Sequence, residues 1–195
     1  MAVLAWDAPF DALAAVTAQG HINAMADPDG IIRHALLYVD APDGQRYYSF
    51  ARTIYERYAA FHGLELTPVP ETDKNGFFYL PYTSAPGGYD SAISFVDVLD
   101  GLIEPEFFAG KIVLIGPYAA GLQDEYRTAI DHAAPMYGVE IQANQIDAYR
   151  NGNIPREVSD TVQLVILFVV SALMFFWLAE RKVLLSVVTW FVACF

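Results

Sequence analysis

The sequence contains a single cysteine, Cys194, in an apolar stretch near its end. No intrachain disulfide can form, and no thiolate zinc site can be assembled. Histidine is scarce as well. His21, His34, His62 and His132 lack the i,i+4 or H-x₃₋₅-H spacing that turns two imidazoles toward one ion, so no metal is expected. Cations are few, with 11 Lys+Arg against 23 Asp+Glu and a net charge of −12. All but two of the basic residues and all but one of the acidic ones precede residue 161. Such a surface repels phosphate backbones, which argues against nucleic acid as a partner. The acidic excess reads as solubility rather than as a ligand signature. No G-x-S-x-G, H-E-x-x-H or phosphate-loop motif occurs, and no cofactor is expected. The opening MAVLAWDAPFDALAAV lacks a basic n-region and carries Asp7 and Asp11 inside its apolar stretch, so it does not read as an export signal.

What the sequence does have is a long apolar run. Residues 161–179, TVQLVILFVVSALMFFWLA, carry no formal charge, and as a helix they would span roughly 28 Å at about 1.5 Å per residue. That matches a hydrocarbon core of about 30 Å. A buried core helix would show a polar face, whereas only Thr161, Gln163 and Ser171 interrupt this one. After Glu180, Arg181 and Lys182, residues 183–195 resume the apolar pattern but are too few to span. The expectation is a helical hairpin whose second arm is cut short. Arg181 and Lys182 mark one side and Arg150 and Arg156 the other, so counting charges leaves the orientation open.

Residues 1–160 read as one α/β domain. Asp7 and Pro9 open a helix with Phe10, Leu13, Ala14 and Thr17 on one face, ending at Gly20. HINAM and IIRHALLYV flank Asp27-Pro28-Asp29-Gly30 and read as a hairpin. No glutamate follows to complete a calcium loop. After a turn at Ala41-Pro42-Asp43-Gly44, a helix ending at Gly63 places Phe50, Ile54, Tyr58 and Phe61 on one face, a stripe that reads as core. LELTPV and FFYLPY read as short strands around Asp73-Lys74-Asn75-Gly76. Ser84 to Gly88 is a loop, Ser94 caps a short helix, and Glu104-Pro105 opens another turn closed at Gly110.

Lys111-Ile112-Val113-Leu114-Ile115 is a continuous apolar run that predicts a strand covered on both faces. In an α/β sheet, ligands gather at the C-terminal ends of strands, which here means the loop beginning Gly116-Pro117-Tyr118. Gly116, Gly121, Asp124 and Thr128 are the candidate ligand-binding residues; the alternative is that the glycines only permit a tight turn. The two glycines resemble a phosphate loop, but no Lys-Ser/Thr follows and Asp124-Glu125 would repel a phosphate. A helix over 139–151 then presents Val139, Ala143, Ile146 and Tyr149 or Arg150, stopped by Gly152.

Several ordered blocks carry a resemblance. They are Gly20-His21-Ile22-Asn23 with Asp29-Gly30-Ile31-Ile32-Arg33, Ser94-Phe95-Val96-Asp97-Val98-Leu99, and Phe108-Ala109-Gly110-Lys111-Ile112-Val113-Leu114-Ile115-Gly116. Gly121-Leu122-Gln123-Asp124 and Met136-Tyr137-Gly138-Val139-Glu140-Ile141-Gln142-Ala143-Asn144 follow. Over residues 20–179 the pattern resembles the CHASE2 family, extracytoplasmic sensor domains of bacterial adenylate and diguanylate cyclases, histidine kinases and Ser/Thr kinases. It departs from that family at Pro117-Tyr118, where Ala-Thr is usual, and at Thr128-Ala129, where Thr-Pro is usual. The resemblance implies a single α/β sensor domain, a mixed sheet flanked by helices, followed by transmembrane helices. It also implies an anchor before the domain and a cytoplasmic effector beyond it, with residues 1–160 outside the cytoplasm and the 180–182 tip inside. The expected partners are the membrane, an unidentified small-molecule or protein stimulus, and a second copy in a homodimer. Two other classes compete. A membrane-tethered hydrolase would draw acid and base from Asp124, Glu125, Asp131 and His132. A purely structural module would dimerise and align the membrane helices.

Overall fold

Two helices end on glycines held in left-handed backbone, and between them they organise most of what precedes residue 157. The computed structural model describes residues 7–41, 44–89, 93–119, 121–130, 133–179, 188, 190 and 192. The chain divides into two units, residues 1–156 and 157–195. In chain order the first unit contains α1 (Asp11–Ala14), β1 (Ile31–Ile32), β2 (His34–Leu36), β3 (Tyr38–Asp40), β4 (Arg46–Tyr48) and α2 (Phe50–His62). β5 (Phe77–Tyr79), α3 (Phe95–Leu99), a 3₁₀ turn (Pro105–Phe108), β6 (Glu125–Thr128), β7 (Met136–Tyr137) and α4 (Gly138–Asn151) follow.

Local chemistry accounts for the ends of α2. The Ser49 hydroxyl accepts from the Arg52 N–H at 3.2 Å, satisfying one of the donors a helix start leaves free. Gly63 then turns left-handed at φ 65°; its N–H donates to Ala60 O, and the Leu64 N–H reaches back to Ala59 O at 2.9 Å, a Schellman closure. α4 is closed in the same region of backbone space by Gly152 at φ 66°. The two helices pack on one another, and the core around them gathers Ile32, Leu37, Tyr55, Phe78, Met136, Ile141 and Tyr149.

The class is mixed α/β, but the strands form three small sheets rather than one flanked sheet. β6 pairs in parallel with β1 and antiparallel with β7; β2 pairs with β5, and β3 with β4. The residue 27–30 turn forms as expected, closed by the Gly30 N–H on Asp27 O. Its first arm differs: His21 bridges Ser49 in parallel, because the strand-like stretch after the turn breaks into β1, β2 and β3 with separate partners. Asp27 and Asp29 are held by Arg33 at 2.9 and 2.8 Å, and Asp27 also meets His34 Nδ1 at 3.0 Å.

Four further expectations change. α1 is four residues long and buries none of them, since no element covers Phe10 or Leu13 and short uncovered helices are marginal. LELTPV is no strand; Thr67 instead ties the two helices, its N–H on the Tyr55 hydroxyl at 2.9 Å and its hydroxyl on Tyr149 O at 2.6 Å. The 111–115 run belongs to no sheet. Ile112 and Leu114 pack against the core while Val113 and Ile115 are 50% and 74% exposed, so it is covered on one side only. The aromatic stripe of α2 is core only in part: Ile54 packs against the core, Phe50 and Tyr58 are half-buried, and Phe61 is 86% exposed. The fully buried face carries Ala51, Arg52, Tyr55 and Ala59, where Tyr55 meets Tyr149 of α4.

In the second unit, α5 (Asp160–Ala179) is 20 residues long with a mean hydropathy of 2.5. It is long and apolar enough to cross a bilayer, and none of its residues is buried. The 180–182 tip and most of the second apolar arm lie outside the described residues.

Candidate functional site

The four ligand candidates do not form one cluster. Gly116 runs against α4, where an added Cβ would lie 3.0 Å from Val139 Cβ. Asp124 reaches the same place: its carbonyl accepts from the Gly138 N–H at 3.0 Å, and its carboxylate lies against Gly138 so closely that an added Cβ would stand 2.5 Å from Oδ1. Gly121 has φ 91° with open space around it, which is the requirement of a tight turn. Thr128 is fully buried in β6 opposite Ile32, its hydroxyl without a hydrogen-bond partner among the described residues. The fold thus gathers Gly116 and Asp124 at the first turn of α4 and leaves Gly121 and Thr128 apart from it.

The electropositive start of α4 is occupied by the chain's own acids. Beside Asp124, the Glu140 carboxylate accepts from the Tyr137 N–H at 3.0 Å with one oxygen and from the Gly87 N–H at 2.7 Å with the other. A phosphate would have to displace both, so the glycine spacing carries no nucleotide site. Of the groups considered as acid and base, Asp131 and His132 lie outside the described residues. Glu125 is exposed in β6, and the Asp124 carboxylate lies against the Gly138 backbone and accepts from the Tyr126 hydroxyl, which with burial raises that phenol above its usual range.

Sequence reasoning missed the polar face of α4. Glu140, Asn144 and Asp147 follow one another at spacings of four and three, so they share one side of the helix, and all three hold the 83–89 loop. Asn144, fully buried, accepts from the Thr83 and Ser84 N–H groups at 2.9 and 3.0 Å and donates to Glu140 O at 3.0 Å. The Tyr89 hydroxyl donates to Asp147 at 3.2 Å, and burial raises that phenol above its usual range. The i,i+4,i+7 signal was present in the sequence; the apolar residues between hid it.

The opposite face of α4 meets α2. Tyr149 stacks on Tyr55 with ring centroids 6.1 Å apart, and the Arg52 guanidinium lies 5.5 Å from each ring centroid. The Tyr149 hydroxyl sits 3.3 Å from Ser49 Oγ, and burial pushes it up to about 12, so it stays neutral at physiological pH. α4 is therefore gripped on one side by the 83–89 loop and on the other by α2. The arrangement is a mechanical junction.

Among known families, the model of the CHASE2 domain matches residues 3–179. No curated protein and no solved structure matches the chain.

Proposed function

The chain belongs to the CHASE2 domain family, extracytoplasmic sensor domains of signalling proteins, and on that premise we propose that it is the input module of a membrane signal-transduction protein. In this reading residues 1–160 lie outside the cytoplasm, α5 crosses the bilayer, the 180–182 tip is inside, and the output belongs to a cytoplasmic effector of the cyclase or kinase class. The observation that carries it is the position of α4. Its two faces are held by the 83–89 loop and by α2, its first turn meets Gly116 and Asp124, and only residues 152–159 separate it from α5.

A stimulus acting on the 116–128 loop, or on the elements that grip α4, changes output by favouring one of two α4 positions, and it does so only to the extent that it binds one better. Pro155 stiffens the short connector, so displacement of α4 is carried forward rather than lost in slack. A reporter tests the route: residues 1–195 placed in frame before a cyclase catalytic domain, with one to four alanines inserted after Gly152. Transmission through α4 and α5 predicts that output rises and falls with the helical phase of the insertion. Output unchanged by every insertion overturns the reading.

A further inference from the structure

The aromatic stripe of α2, only partly taken up by the core, does not face open solvent alone. Phe50, Ile54, Tyr58 and Phe61 form one wall of a groove of about 520 Å³ whose other side includes Gly110, Lys111 and Ile112. That volume is in the range of small-molecule sites. The polar groups at its edge are Thr53 and the cation-forming side chains Arg57, His62 and Lys111, and among the described residues no carboxylate lines it.

This composition is unusual for the chain. With a net charge of −12, most arginines are claimed: Arg33, Arg46, Arg52, Arg150 and Arg156 each sit within 3.3 Å of a carboxylate. Among the described residues Arg57, Lys74, Lys111 and Arg127 have no such partner, and two of these four line the groove; Lys111 Nζ lies 3.8 Å from the Phe107 ring centroid. Two unclaimed cations in a groove walled by aromatic rings, with His62 between Tyr58 and Phe61 at 4.4 and 5.1 Å, make a site complementary to a flat apolar body bearing one negative charge. Arginine in particular offers a planar fork matched to a carboxylate.

We infer that this groove binds a small aromatic carboxylate. The ring lies along Phe50, Tyr58 and Phe61, and the carboxylate is met by Arg57 and Lys111. Because the opposite face of α2 carries Ala51, Arg52, Tyr55 and Ala59 against the core and Tyr149, an occupant bears on the helix that grips α4. What binding does to output rests on the sensor reading above; binding itself does not.

The test uses the full chain in lipid nanodiscs, with empty nanodiscs as the blank, and titrates 2-naphthoate and its uncharged counterpart 2-naphthamide by calorimetry. Saturable naphthoate binding is expected, with naphthamide at least tenfold weaker. Arg57→Gln and Lys111→Gln are each expected to weaken naphthoate about tenfold with unchanged melting temperature, since both side chains are exposed, and Lys74→Gln to leave binding unaltered. Equal affinity for the amide, unaltered binding in both groove variants, or uptake no greater than by empty nanodiscs each overturns the site. If naphthoate binds but the reporter never responds to connector insertions, the sensor reading fails and the site stands. If insertions change output and naphthoate does not bind, the site fails and the sensor reading stands.

Discussion

Asn144 is the acceptor for the Thr83 and Ser84 N–H groups among the described residues. Replacing it with leucine keeps the branched shape of the side chain but removes that acceptor, at a cost of about 2–4 kcal/mol. Urea unfolding of Asn144→Leu is expected to show that loss, with Asn144→Asp losing less because it retains the acceptor oxygen. His21 makes a different prediction. Burial pulls its imidazole down to about 4, only partly offset by the nearby Leu37 backbone. The folded state therefore keeps it neutral where the unfolded chain takes up a proton. Its contribution is complete above about pH 6.5 and is lost progressively as pH falls from there through about 4, a change on the order of 3 kcal/mol. In His21→Leu the acid limb of stability against pH between those values is expected to flatten; an unchanged limb would mean that other groups set it.

At the scale of elements, two glycines separate steric need from conformational need. A Cβ on Gly20 would stand 2.6 Å from Phe50 Cα and 2.7 Å from Phe50 N, which is backbone at the start of α2 and cannot swing aside. Gly30 has open space but φ 82°. Gly20→Ala is expected to cost about 3 kcal/mol or more by displacing the first turn of α2, and Gly30→Ala about 1 kcal/mol through left-handed strain alone. Thermal melts of the two variants check the order, and a reversal would mean that the chain before α2 yields easily. The same logic explains why the short apolar runs were misjudged. Extended segments such as 64–69 and 111–115 become strands only where another segment offers its backbone, and that offer is not written in the run itself.

For the molecule as a whole, charge and topology carry the predictions. A net charge of −12 disfavours the compact state by self-repulsion, and most of the ion pairs are at least partly exposed, where each is worth little. Raising salt from about 0.05 to 0.5 M is therefore expected to raise the melting temperature by a few degrees, because screening relieves repulsion more than it weakens pairs; a fall would show the pairs to dominate. In intact cells, with Cys194→Ser as background, a cysteine replacing exposed Lys74 is expected to react with a membrane-impermeant maleimide, while one replacing Phe168 is not. Protection of both positions would place the sensor unit on the cytoplasmic side.

The sequence by itself determined the features whose causes lie within a few residues of one another. The uncharged run that becomes α5, the glycines that end α2 and α4, and the turns at Gly30 and Gly76 were all legible, as were the ordered blocks that mark the family; the Ser49 cap of α2 was not read from the sequence. Tertiary structure decided which face each helix turns inward. Both faces of α2 are apolar enough to be core; Ala51, Tyr55 and Ala59 are buried where Tyr149 arrives from nearly a hundred residues away, while of the aromatic stripe Ile54 packs against the core and Phe61 stays exposed. It also decided that Gly116 and Asp124 meet at α4 while Gly121 and Thr128 do not, and that Glu140, Asn144 and Asp147 close on the 83–89 loop. Burial of an amphipathic face depends on what arrives opposite it, and hydrogen-bond partners distant in sequence leave no periodic trace in either segment alone.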